Sequence, residues 1–70
     1  MEHGLSRSQV IFLADEWILN ARDNAIVKKK LLDGGITYEQ IAEEENLSVQ
    51  RIKEIVSKGK KVIFSHANAN

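Results

Sequence analysis

The sequence predicts an all-α domain of four helices, and three observations point to it. Its 70 residues contain no proline and only four glycines, a composition that suits uninterrupted helices better than a turn-rich β fold. Strong N-cap residues, Ser6, Thr37 and Ser48, each precede a stretch in which apolar side chains recur at helical spacing. Between those stretches stand residues that commonly end helices, Gly34-Gly35 and Asn46. A chain of this length has room for one compact domain with a small core, expected to span residues 1–70 with loose ends at 1–5 and 65–70.

The first helix is expected from about Arg7 to Leu19. Ser6 and Gln9 have the spacing of a capping box, and Leu5 and Val10 stand where the matching hydrophobic staple needs them. Val10, Leu13, Ala14, Trp17 and Ile18 share one broad face, with Ile11 at its margin, and should pack on the other helices. Phe12 and Leu19 point nearly opposite, between Asp15 and Glu16. Such an apolar pair on a polar face either marks a partner surface, for instance a homodimer contact, or is wrapped by Ile63 and Phe64 from the C-terminal end. Both readings stand.

A second helix is expected over Ala21 to Asp33. Asn20 is its N-cap, Asp23 sits favourably near the positive helix end, and Gly34-Gly35 should supply the left-handed residue that stops it. Lys28-Lys29-Lys30 radiates around this helix, with a solvated role favoured over contact with phosphates. The third helix, Tyr38 to Glu45, repeats the capping box at Thr37 and Gln40 and the staple at Ile36 and Ile41. Tyr38 should pack at its edge. The fourth, Val49 to Ile63, starts at the Ser48 cap with Leu47 and Ile52 as staple, although Arg51 takes the place where the box would have Glu or Gln.

Charge is balanced in total and polarised in detail. Through Leu47 five bases face nine acids, a net −4, whereas from Ser48 onward Arg51, Lys53, Lys58, Lys60 and Lys61 face Glu54 alone, a net +4. A neutral chain does not coat nucleic acid indiscriminately, yet a phosphate backbone responds to the local field and not to the total. The fourth helix sorts its residues accordingly. Val49, Ile52, Ile55, Val56, Gly59, Val62 and Ile63 fall on one arc, and Gln50, Arg51, Lys53, Glu54, Ser57, Lys58 and Lys61 on the other. The second set offers amide and guanidinium groups for base edges and ammonium groups for phosphates, with Ser48 able to present backbone donors at the helix start. An ordinary amphipathic helix with a solvated lysine face would carry the same pattern.

The third and fourth helices together have the layout of a helix-turn-helix. Ala42 is small where the two helices would cross, Leu47 plugs the turn, and Ile52 and Val56 face inward one turn apart. On this reading the run Glu43-Glu44-Glu45 is a solvated face that keeps the shorter, supporting helix away from DNA.

Residues Ala21 to Val62 resemble the C-terminal promoter-reading domain of bacterial sigma factors, often called region four, and its relatives among response regulators. The carrying stretches are Ala21-Arg22-Asp23-Asn24-Ala25-Ile26-Val27, Ile36-Thr37-Tyr38-Glu39-Gln40-Ile41-Ala42-Glu43-Glu44, Leu47-Ser48-Val49 and Arg51-Ile52-Lys53. The resemblance implies that Ser48, Gln50, Arg51, Lys53, Glu54, Ser57 and Lys58 face double-stranded DNA. It also implies a small transcription regulator of the kind found in prophages and mobile elements. Glu54-Ile55 stand where members of the family often have a basic residue.

Other chemistry is poorly represented. The chain has no cysteine, and His3 and His66 lie near opposite termini without a further ligand motif, so no metal site or cofactor is expected. Gly34-Gly35 lacks the lysine and hydroxyl residue of a phosphate loop, and the three consecutive glutamates diverge around a helix and form no catalytic dyad. An enzyme is therefore not expected. No stretch approaches the roughly 20 apolar residues of a membrane span, and Met1-Glu2-His3 lacks the layout of a signal peptide, so a cytoplasmic protein is expected. Two functional readings remain. One is a sequence-preferring DNA binder, and the other is a module that docks on RNA polymerase or another regulator through Phe12, Leu19 and the acidic third helix.

Overall fold

The computed structural model describes residues 4–67, and these form four helices: α1 (Arg7–Trp17), α2 (Ala21–Leu32), α3 (Tyr38–Glu45) and α4 (Val49–Ala67). The starts lie where the capping residues place them. Ser6 Oγ accepts from the Gln9 N–H at 3.1 Å while the Gln9 side chain accepts from the Ser6 N–H at 2.9 Å. Thr37 and Gln40 repeat this reciprocal pair at the head of α3. Asn20 Oδ1 accepts from the Asp23 N–H at 3.0 Å, and Ser48 Oγ from the Arg51 N–H at 3.0 Å. Each bond satisfies a backbone donor that the first helical turn leaves open.

The helix ends depart from the sequence reading in three places, each for a physical reason. α1 stops at Trp17 and not Leu19 because Asn24 of α2 reaches back over its C-terminus, its Nδ2 lying 3.1 Å from the Ala14 carbonyl and 3.2 Å from that of Ile18. Gly34 and Gly35 do not supply a left-handed residue; positive φ among the described residues occurs only at Gly4 and Asn46. The turn after α2 is made instead by Asp33, whose carboxylate accepts from the Gly35 N–H at 3.0 Å and whose carbonyl accepts from the Ile36 N–H at 3.2 Å. Asn46 does end α3 in the left-handed conformation, at φ 58°. α4 continues past Ile63 through His66 to Ala67, so residues 65–67 are helical and not loose. His66 stacks flat on Trp17, with ring centroids 3.6 Å apart and planes within 2°.

α4 lies against all three other helices, and α2 contacts α1 and α3. The core consists of Val10, Ala14, Ile26, Val27, Ile41, Ala42, Ile52, Ile55, Val56 and Ile63. Leu5, Leu13, Ile18, Ile36 and Leu47 close its rim half-buried, so Leu5 belongs to the fold and not to a loose end. Gly59 marks a close crossing of α4 and α2. A Cβ at that position would overlap the side chain of Val27, so α4 can approach α2 closely only without one.

Expectations for α1 hold in part. Val10 and Ala14 are fully buried, yet Trp17 remains half exposed, because its ring lies across His66 and not in the core. Phe12 and Leu19 are 62% and 84% exposed, so Ile63 and Phe64 do not wrap them. Among the described residues no helix is long and apolar enough to cross a membrane.

Candidate nucleic-acid interface

The outward side of α4 collects the polar residues that its period assigns to one arc. Ile52, Ile55, Val56, Gly59 and Ile63 are buried, and Val49 and Val62 half-buried, which fixes the rotation of the helix. That rotation leaves Ser48, Gln50, Arg51, Lys53, Glu54, Ser57, Lys58 and Lys61 all exposed. Gln50, Lys53, Glu54, Ser57, Lys58 and Lys61 border one shallow surface. No other element of the described chain covers it.

Within this face the charges are loosely held. Arg51 Nη1 lies 3.6 Å from Glu54 Oε1, an exposed ion pair beyond hydrogen-bond distance. Lys53 Nζ stands 5.9 Å from the centre of the Tyr38 ring, which also carries Lys30 Nζ at 4.7 Å on the α2 side. Tyr38 thus packs between two cations at the edge of α3. Lys58, Lys60 and Lys61 make no ion pair or hydrogen bond among the described residues.

The lysines of α2 are placed quite differently. Lys28 Nζ donates to Asp15 of α1, Lys29 Nζ to Glu44 Oε1 at 2.8 Å and Glu45 Oε2 at 3.2 Å of α3, and Lys30 Nζ to the Ile36 carbonyl at 2.9 Å. These side chains are tied to neighbouring elements, contrary to the solvated role expected of the run. Glu44 and Glu45 likewise are not a free acidic face, since both converge on one ammonium group. Hydrogen bonds from Lys28 and then Asn24 hold the Asp15 carboxyl below its ordinary value. Bonds to Glu44 and then Glu45 raise Lys29 above its own.

Sequence reasoning missed Asn24 as the residue that closes α1, and Arg7, whose Nη1 donates to the Leu32 carbonyl at 3.0 Å at the far end of α2. Both bonds join residues distant in the chain, and no local pattern signals them. On the other flank of α4, Trp17, Ile18 and Leu19 form with Val62 an open groove of about 260 Å³, with Arg51 and Lys58 on its lip.

Among the described residues no group of three or more His, Cys, Asp or Glu is placed to hold a metal ion. His3 lies outside them. No protein-family model, curated protein or solved structure matches the chain.

Proposed function

We propose that the chain is a helix-turn-helix protein that binds double-stranded DNA with sequence preference, α4 being the reading helix and α3 its support. The observation that carries this reading is the bare cationic face of α4, on which Lys58 and Lys61 are exposed and have no ion-pair or hydrogen-bond partner among the described residues. Cations left open in a fold that ties down Lys28, Lys29 and Lys30 support the reading, because they are available to phosphates. The first two turns bring Gln50, Arg51 and Glu54 forward at the end of the helix that enters a major groove, with Lys58 and Lys61 behind them for the flanking backbone. Ile41 and Ala42 of α3 share the buried core with Ile52 and Val56 of α4, which holds the two helices together, and Lys29 links α3 to α2 through Glu44 and Glu45. The resemblance to sigma region four adds that the protein regulates transcription, and that it belongs with phage or mobile-element regulators.

Fluorescence anisotropy with random-sequence duplexes at low salt tests the reading. A complex that weakens steeply as salt rises is expected. No complex at low salt contradicts it.

A second reading is favoured by the exposure of Phe12 and Leu19, at 62% and 84%. Here α1 is a contact surface, either for a second copy, as paired half-site binding requires, or for RNA polymerase or another regulator. Under the docking version Phe12→Ala abolishes partner binding, whereas Lys53→Ala with Lys58→Ala leaves it intact.

A further inference from the structure

Glu54 is the one acid from Ser48 onward, and it stands in the middle of the surface that the proposed function assigns to DNA. Two ordinary reasons for a glutamate there are weak. Its side chain is 56% exposed, and its only ion pair among the described residues is the 3.6 Å approach of Arg51 three residues earlier. Exposed pairs at this spacing contribute little to helix stability. Nor does a carboxylate help the helix approach DNA, because each nearby phosphate repels it. Both of its oxygens can accept hydrogen bonds, since no donor among the described residues lies within bonding distance.

Such a group is favourable on a major-groove surface only where it meets a donor on a base edge. The groove offers two, the N4 amino group of cytosine and the N6 amino group of adenine. Adenine sets its N7 acceptor beside that amino group, so an amide side chain fits it and a carboxylate is repelled. Cytosine presents its amino group without a neighbouring acceptor on the same base.

Resting on the DNA-binding reading above, we propose that Glu54 is a specificity residue that selects cytosine at one position of the target by accepting from its N4 amino group. Arg51 complements it. Its guanidinium lies exposed on the same face, where its fork is available to a neighbouring guanine, whose O6 and N7 accept both of its donors. The charge that weakens indiscriminate binding thereby supplies discrimination, consistent with a chain whose total charge is zero.

The test is selection of bound duplexes from a random pool with the full chain and with Glu54→Gln, followed by affinity measurements on the enriched site and on single-base variants of it. The wild type is expected to enrich a site with one position fixed as cytosine. It should bind that site roughly ten-fold tighter than the adenine variant, within the range that one matched pair contributes. Glu54→Gln should lose or reverse this preference at that position alone, and should bind random duplexes more tightly than the wild type does. If the wild type binds an enriched site and Glu54→Gln keeps the same preference at every position, the inference is overturned while DNA binding stands. If the wild type enriches no sequence, the inference falls together with sequence preference. If it forms no complex at all, DNA binding falls as well. Thermal unfolding of Glu54→Gln close to that of the wild type shows that the fold is intact in each case.

Discussion

Lys28, Lys29 and Lys30 on α2 and Lys58, Lys60 and Lys61 on α4 are two runs of the same residue type in one small domain. The first run bonds to Asp15, to Glu44 and Glu45, and to the Ile36 carbonyl, and so joins α2 to α1, α3 and the turn between α2 and α3. The second bonds to nothing among the described residues. What separates them is the placement of the acids. Eight of the ten acids lie between Asp15 and Glu45, around α2, and a single one, Glu54, lies on α4. Lysine count alone therefore says little about function in this chain, and the availability of a partner says more. α2 is a strut that joins the other three helices, and α4 carries the lysines that no group among the described residues pairs.

The comparison is broken most severely by exchanging which run is removed. Lys58→Ala with Lys61→Ala is expected to lower affinity for duplex DNA by roughly ten-fold or more at moderate salt, while leaving the melting temperature near that of the wild type. Lys28→Ala with Lys29→Ala should do the opposite, lowering the melting temperature with little change in affinity. Anisotropy titrations and thermal unfolding followed by circular dichroism, run on both double variants, distinguish these outcomes.

Two substitutions sharpen the role of α2 as a strut. Asn24→Ala leaves the Ala14 and Ile18 carbonyls without the amide that covers them and should cost about 1–3 kcal/mol in chemical denaturation. Gly59→Ala forces a methyl group into Val27. Overpacking costs about 1–3 kcal/mol, offset by up to about 1 kcal/mol of gained helix propensity, so a smaller net loss is expected. Adding Val27→Ala makes space for the new methyl group, so the double variant should show coupling between the two sites.

The smallest expected effect is on pH dependence. Because the folded state holds the Asp15 carboxyl below its ordinary value of 3.8, the carboxylate form favours folding. That contribution is present above the ordinary value and is lost as pH falls through the lowered one. Acid unfolding of Lys28→Ala should show a shallower loss of stability over this range than the wild type does. For Lys29 the sign reverses: its contribution is present below the ordinary value of 10.5 and disappears as pH rises through the raised one.

How much of this was legible in the sequence follows the same division between local and distant contacts. The starts of α1, α2, α3 and α4 were readable because Ser6, Asn20, Thr37 and Ser48 bond within their own first turns. The outward set on α4 was readable because helical period alone separates Ile52, Val56 and Ile63 from Gln50, Lys53 and Lys61. The early stop of α1 and the extension of α4 were not, since Asn24 reaches ten residues back to Ala14 and His66 rests on Trp17 from the other end of the chain. Gly34-Gly35 misled for a related reason, in that the side chain of Asp33 makes the turn that a left-handed glycine was expected to make. The partners of the α2 lysines, 13 to 16 residues away for Lys28 and Lys29, required the packed structure.

The most direct measurement is the salt dependence of duplex binding, plotted as log affinity against log salt for the wild type and the two lysine double variants. Each phosphate contact contributes about 0.9 to the magnitude of the slope on duplex DNA. The slope should become shallower by roughly 2 when Lys58 and Lys61 are replaced, and should stay unchanged when Lys28 and Lys29 are. A slope that ignores the α4 replacements, or that responds only to those on α2, would contradict the account.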